Sequence, residues 1–219
     1  MTQPLVIIVG AGPGISLAVA RRFGREAWGV ALVARRTEAL EQYVADLEMD
    51  GISAQGFVAD STDFEGLKKT IIQIRQRMGE ATVLVYNVMQ PVEGTPMTQK
   101  AEDVMAAMRG NLGGAIVATQ SVVPHMAAGS SVLFTGGGLA LKPYPKYAGL
   151  AAGKAALRNW VLSLAAELEP QGIHAATVTV AGFVKPGSAF DPDKIAEVYW
   201  QLHQQTRNDW EAEIVFDGR

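Results

Sequence analysis

The chain has 219 residues, 48% hydrophobic and 19% charged, which fits one domain with a sizeable core and excludes disorder. Nineteen Lys and Arg against 22 Asp and Glu give a formal net charge of −3, which argues against nucleic acid and against a membrane surface as partners. With no cysteine, disulfides, thiolate nucleophiles and Cys-ligated metals drop out, and His125, His174 and His203 are too scattered to form a metal site.

In chain order, Met1–Pro4 has no basic targeting region, and the apolar run Leu5–Val9 is too short for a signal core. No stretch approaches the ~20 apolar residues that cross a bilayer, so a soluble, cytoplasmic protein is expected. Leu5–Val9 reads as a buried strand, Gly14–Glu26 as a helix and Gly29–Ala34 as a strand. A helix over Thr37–Met49 takes Thr37 as N-cap, and Ile52–Val58 is a strand. Thr62 and Glu65 have capping-box spacing for a helix over Thr62–Met78. Thr82–Tyr86 is a strand, followed by a Pro- and Gly-rich loop and one long helix over Ala101–Met126. Ser131–Thr135 is a strand, Tyr147–Leu168 a helix and Ile173–Val180 a strand. Asp191 caps a helix over Asp191–Gln205 with Pro192 at its first position, and Glu213–Phe216 is the last strand. Seven strands alternating with six helices predict right-handed crossovers and a mainly parallel sheet covered on both faces, a doubly wound α/β Rossmann domain spanning residues 1–219.

The first strand runs into Gly10-Ala11-Gly12-Pro13-Gly14-Ile15-Ser16. Glycines there let the backbone approach a pyrophosphate, and the next helix offers free N–H groups and a positive dipole end. The second strand ends Val33-Ala34-Arg35-Arg36, where an acid would bind the ribose 2′-hydroxyl of NAD. Ala34 followed by Arg35 and Arg36 suits a 2′-phosphate instead, so NADP is expected over NAD. Asp60, with Ser61 beside it, follows the third strand, where a carboxylate accepts from an adenine amino group. Asn87 follows the fourth, beside the nicotinamide ribose. The competing reading of Asp60 and Asn87 is turn residues that cap their own backbone.

These residues, with Asn111, Lys154 in Gly153-Lys154-Ala155-Ala156-Leu157 and the closing strand near Glu213, resemble the short-chain dehydrogenase/reductase family across essentially the whole chain. The resemblance implies a Rossmann fold, NAD(P) chemistry, a small-molecule substrate and a catalytic set of Asn, Ser, Tyr and Lys. The sequence departs from that set. The family's Tyr-x-x-x-Lys spacing puts Leu150 in the tyrosine's place, and its serine falls on Gly137 within Gly136-Gly137-Gly138. Tyr147 and Lys154 instead have the Tyr-x6-Lys spacing of the family's enoyl-thioester reductases, and Gly10, Ser16, Leu17 and Ala18 match that branch's cofactor turn. Arg35 and Asn111 resemble the ordinary family.

On a helix, Tyr147 and Lys154 lie about 700° apart and share a face, ~10.5 Å along the axis. The lysine would bind the nicotinamide ribose and the tyrosine would donate to a substrate oxygen, with Asn111 completing the catalytic set. Tyr144 competes for the donor role, and helix-start packing is the structural alternative for Tyr147. Small residues from Ala148 to Ala156 predict close helix packing, on the chain's own sheet or, as the family implies, in a homodimer or homotetramer. Two functions stay open: an NADP(H)-dependent oxidoreductase, or an NADP(H)-binding sensor or interaction protein without turnover.

Overall fold

The computed structural model describes residues 3–219; Met1 and Thr2, on which the reading of the N-terminus partly rests, lie outside the described residues. Seven strands form one sheet in the order β3-β2-β1-β4-β5-β6-β7. They are β1 (Leu5–Val9), β2 (Gly29–Ala34), β3 (Ala54–Val58), β4 (Val83–Tyr86), β5 (Ser131–Gly137), β6 (His174–Val180) and β7 (Glu213–Phe216). Every neighbouring pair is parallel. The order reverses at β1, which pairs with β2 on one side and β4 on the other. At such a switch point the flanking connections leave on opposite faces and open a crevice at the strands' carboxyl ends.

Alternate residues of β1 feed two separate cores. Val6 and Ile8 pack with α1 (Ile15–Gly24), α2 (Thr37–Met49) and α7 (Pro192–Gln204). Leu5, Ile7 and Val9 pack under α3 (Phe64–Met78), α5 (Gly114–Val122) and α6 (Ala148–Leu168). This two-sided burial explains the near-continuous apolar strands. Among the described residues, no helix is long and apolar enough to cross a membrane, and no group of three or more His, Asp or Glu is placed to hold a metal.

Several element ends differ from expectation, each for a local reason. Arg36, in an extended conformation, precedes α2, and Thr37 is its first helical residue, not its N-cap. Asp63 caps α3 by accepting from the Gly66 N–H at 3.1 Å. Thr62 is drawn away from that role because its hydroxyl and N–H both bind Asp60. Ile52 lies in the connection after α2, its N–H tied back to the Leu47 carbonyl, so β3 starts at Ala54. The single long helix is in fact α4 (Ala101–Met108) and α5, separated by a π-helical turn over Arg109–Gly113. β5 extends two residues further than expected, because Gly136 and Gly137 still pair with Thr179 and Val180. Asp191 caps α7 as expected, accepting from the Asp193 N–H at 2.9 Å.

Candidate active site

A cavity of about 1260 Å³ runs along the carboxyl ends of the strands. The glycine turn lies at its centre. The N–H groups of Gly10 and Ala11 both donate to the Val33 carbonyl at 2.9 Å, folding the chain sharply off β1. Gly10 has φ +90°, and a Cβ there would lie 2.6 Å from the Asn87 carbonyl oxygen, so only glycine fits. Gly12 and Gly14 have nothing within 4 Å of a Cβ position and face open space. No side chain caps α1, so its amino end is left open for an anion.

Ser16 is buried and lies behind the cavity wall rather than on it. Its hydroxyl donates to the Gly10 carbonyl at 2.8 Å and accepts from the Asn87 amide at 2.7 Å. Ser16 therefore ties the turn to the end of β4, while Gly10, Gly12, Gly14, Ile15 and Asn87 line the cavity.

Arg35, Arg36 and Ser61 line one end. Arg35 is exposed, 4.0 Å from the Asp60 carboxylate. Asp60 itself is off the wall, and one of its oxygens accepts from the Thr62 N–H and hydroxyl, both at 2.8 Å. Burial raises the Asp60 pKa, but the Thr62 bonds and the Arg35 charge outweigh it and hold the carboxyl below its usual range. Tyr43, absent from the sequence reading, also lines this end. Its seven-residue spacing from Arg36, two turns along α2, was the available signal.

At the other end, Lys154 projects from α6 between β5 and the cavity. Its ammonium donates to the Thr135 carbonyl at 2.8 Å, and burial pushes its pKa down to about 8. Thr135 is fixed in turn by a 2.6 Å hydrogen bond between its hydroxyl and that of buried Tyr199. Tyr147 lines the cavity at the start of α6 and is 38% exposed. Tyr144 is 59% exposed, off the wall, with its ring 6.2 Å from that of Tyr147. Leu150 faces the same cavity with no proton to give. A Cβ at Gly137 would meet the Lys154 methylenes at 3.6–3.8 Å, so the missing side chain leaves space rather than relieving a clash.

Asn111 acts through the backbone. It is buried in the π-turn and off the cavity wall. Its amide accepts from the Gln90 N–H and donates to the Gln90 carbonyl, each at 2.8 Å. The Tyr86 hydroxyl donates at 2.5 Å to the Gly110 carbonyl within the same turn. A π-turn is used here to swing Asn111 onto the segment after β4, which walls the cavity. Met89, Gln90, Leu141, Lys142, Phe183 and Val184 complete that wall and were not found by sequence reasoning, because loops carry no periodicity.

The small-residue face of α6 is divided. Gly149 and Gly153 are buried against the chain itself, Gly149 beside Val92 and Gln99 and Gly153 beside Asn111. Ala152 and Ala155 are exposed.

A family model described as short chain dehydrogenase matches residues 4–190. The Arabidopsis thaliana short-chain dehydrogenase/reductase SDRA is 26% identical over 167 residues, 76% of this chain and 66% of that protein. Serine 3-dehydrogenase of Agrobacterium fabrum is 28% identical over 176 residues, 79% of this chain and 69% of that protein. In three such relatives the match spans 55–66% of their own length. A Sinorhizobium meliloti dehydrogenase/reductase has TM-score 0.90 at 23% identity, covering 100% of this chain and 95% of that one. An NADPH-bound Pseudomonas aeruginosa short chain oxidoreductase, described as containing an atypical catalytic center, has TM-score 0.90 at 19% identity over 100% and 98% of the two chains. A Burkholderia cenocepacia short chain dehydrogenase in complex with NADP has TM-score 0.88 at 24% identity over 99% and 96%. The family match covers most of the sequence, and the sheet order and the glycine turn are those the fold requires, so the chain belongs to the short-chain dehydrogenase/reductase family.

Proposed function

We propose that the chain is an NADP(H)-dependent oxidoreductase moving a hydride to or from a carbonyl or an activated double bond. The observation that carries this reading is the placement of Lys154 and Tyr147 on one cavity wall, in the same cleft as an open glycine turn. The cofactor fit rests on three features: the Cβ-free approach at Gly12 and Gly14, the uncapped end of α1, and a buried ammonium with one protein acceptor. Arg35 and Arg36, with Ala34 rather than an acid at the end of β2, favour a 2′-phosphate over a free 2′-hydroxyl. NADP would supply the hydride chemistry when bound.

The residues have distinct tasks. Lys154 holds ribose hydroxyls and places positive charge near developing negative charge on a substrate oxygen. Tyr147 donates a hydrogen bond, and finally a proton, to that oxygen. Asn111 fixes the Gln90 backbone on the opposite wall. Exposed Ala152 and Ala155 supply a flat face on which we place a homodimer or a tetramer of dimers.

The resemblance favours a second reading, an NADP(H)-binding module without turnover: by the family's usual spacing, Leu150 and Gly137 fall where a tyrosine and a serine are expected. One experiment decides between them. NADPH affinity is measured by titration, and NADPH oxidation is screened across ketones, quinones and enoyl thioesters. Tight NADPH binding with oxidation above background in any class supports the oxidoreductase; binding with none supports the module.

A further inference from the structure

The substrate end of the cavity has a definite chemistry at its mouth. Six large hydrophobic side chains on the cavity wall are exposed: Met89, Leu141, Tyr147, Phe183, Val184 and Val215. Phe183 is 90% exposed, an unusual state for a phenylalanine that also lines a cavity. It follows Gly182, where an added Cβ would strike the Phe190 ring; Phe190 therefore backs the strand end and leaves Phe183 outside the core. Such a strip is a region where apolar surface waits for a ligand.

The charge around it is one-sided. Residues 139–147 and 183–190, parts of which line this end, contain Lys142, Lys146 and Lys185 and no acid, in a chain of net charge −3; the next residue, Asp191, is turned onto the backbone, accepting from the Gly187 and Asp193 N–H groups. All three lysines are exposed. Lys142 is on the wall, and the Lys146 ammonium lies 5.9 Å from the centre of the Tyr147 ring. The one carboxylate on the wall, Asp217, is paired with Arg219. Glu93 and Asp103 line a separate small cleft behind Gln90. Leu150 presents hydrocarbon to the same cavity and Gly137 leaves open space.

We propose that the substrate is an anionic amphiphile: a carbonyl compound with a bulky apolar body and a carboxylate or phosphate at its far end. The body fills the space over Gly137 and Leu150 and lies along Phe183, Val184 and Leu141. The charged end stays at the mouth, where Lys142 lines the wall and Lys146 and Lys185 are exposed on the adjoining segments. This assignment rests on the oxidoreductase reading above for the fate of the carbonyl, but the ligand chemistry stands on the cavity alone. A small polar substrate leaves most of the apolar strip wet and gains nothing from it.

Dodecan-2-one, 11-oxododecanoate and 11-oxododecyl phosphate share one carbon skeleton and differ at one end. Each is titrated calorimetrically, below its micelle concentration and at low salt, into the NADPH-loaded protein and into the cofactor-free protein; butan-2-one and pyruvate are the small comparators. At least one anionic compound should bind ten times more tightly than dodecan-2-one, and the small compounds a hundred times more weakly. Whichever anion binds better identifies the headgroup. In Lys142→Glu/Lys185→Glu the tenfold advantage should vanish while dodecan-2-one binding stays unchanged. In Phe183→Ser all three long compounds should weaken. Equal binding of charged and neutral compounds, or tighter binding of pyruvate, overturns the proposal. So does a native dimer that dissociates on Phe183→Ser, since the strip would then be an interface between copies. If NADPH does not bind at all, the oxidoreductase reading fails, and the cofactor-free titration still decides this one.

Discussion

The Lys154 ammonium donates to the Thr135 backbone carbonyl at 2.8 Å, and among the described residues no carboxylate pairs with it. Burial moves its pKa from 10.5 to about 8. The unfolded chain therefore binds more protons between those values, so the stability of the cofactor-free protein rises as pH increases from about 8 to 10.5. At pH 7 the buried charge costs on the order of 3 kcal/mol, at ~1.4 kcal/mol per pK unit. Lys154→Met should raise the melting temperature of the cofactor-free protein by several degrees, even after losing one hydrogen bond. The same change should weaken NADPH at least tenfold. In the native protein NADPH affinity should fall above pH 8, and in Lys154→Met that dependence should be absent. A lower melting temperature in Lys154→Met would mean that the ammonium is well solvated.

Arg35 is exposed beside the Asp60 carboxylate and close enough to the cavity to meet a 2′-phosphate. Its exposed ion pair contributes little to folding. Arg35→Ala should leave the melting temperature within about a degree, as for most surface changes. It should weaken NADPH by about tenfold or more, through a charge-assisted hydrogen bond of roughly 1.5–3 kcal/mol. NADH affinity should hold. Equal loss of both cofactors would place the phosphate elsewhere.

Asn111 grips both polar groups of the Gln90 backbone. Asn111→Ala leaves that N–H and carbonyl without their partner in a part-buried site, at about 1–3 kcal/mol in stability. Because the Gln90 segment walls the cavity, turnover should fall more than cofactor affinity. Hydrogen exchange should rise at residues 88–91. An unchanged exchange rate there would remove Asn111 from any positioning role.

Tyr147 and Leu150 share the cavity wall, and only one has a proton to give. Tyr147→Phe should lower kcat by about 10²–10⁴-fold with NADPH affinity intact, the range of a general acid. Tyr144→Phe should change little, since that ring is off the wall. Gly137→Ser/Leu150→Tyr introduces a serine and a tyrosine with Tyr-x-x-x-Lys spacing to Lys154, and Gly137 is sterically open to it, with 3.6–3.8 Å to the Lys154 stem. That double variant should rescue ketone reduction in the Tyr147→Phe background. Full activity in Tyr147→Phe would assign the donor elsewhere.

Ala152 is exposed on α6, between two glycines committed to the chain's own packing. Ala152→Glu should convert a dimer to monomers in sizing experiments while the melting temperature of the monomer stays near native, because a buried unpaired carboxylate is strongly disfavoured. A monomeric native protein at micromolar concentration refutes the assembly.

The strands and the glycine turn were legible in the sequence because two-sided burial writes itself as apolar runs and a sharp βα turn writes itself as glycine. The sequence also placed Gly10, Gly12, Gly14, Arg35 and Asn87 at the strands' carboxyl ends, where all five line the cavity. The π-turn was not: Arg109–Gly113 sits inside helix-compatible sequence, and what forces it is remote, namely the Tyr86 hydroxyl on Gly110 and the Gln90 backbone on Asn111. Asp60 and Ser16 were read as ligand contacts, yet their side chains are engaged with Thr62 and with Gly10 and Asn87. Asp60 takes the turn-capping alternative, holding the N–H and hydroxyl of Thr62 two residues on, whereas Ser16 is held by Asn87 on a segment remote in sequence, which residue type alone does not reveal. The mouth residues Leu141, Phe183 and Val184 became visible only when two distant loops were seen to border one cavity.

The reversal of strand order at β1 also shapes how the molecule comes together. Residues 5–58 make a three-stranded half and residues 83–216 a four-stranded half, and the only sheet pairing between them is the short register from Val6↔Val83 to Val9↔Tyr86. Each half is assembled by consecutive crossovers, whereas this seam joins segments more than seventy residues apart in sequence. Closing so long a loop costs more chain entropy than pairing strands joined by consecutive crossovers. The glycine turn and Asn87 sit directly above the seam, so a dinucleotide lying across them would clasp two halves that the backbone joins by a single ladder. Loading the protein should then slow the opening of that seam more than it protects β3 or β7 at the far edges.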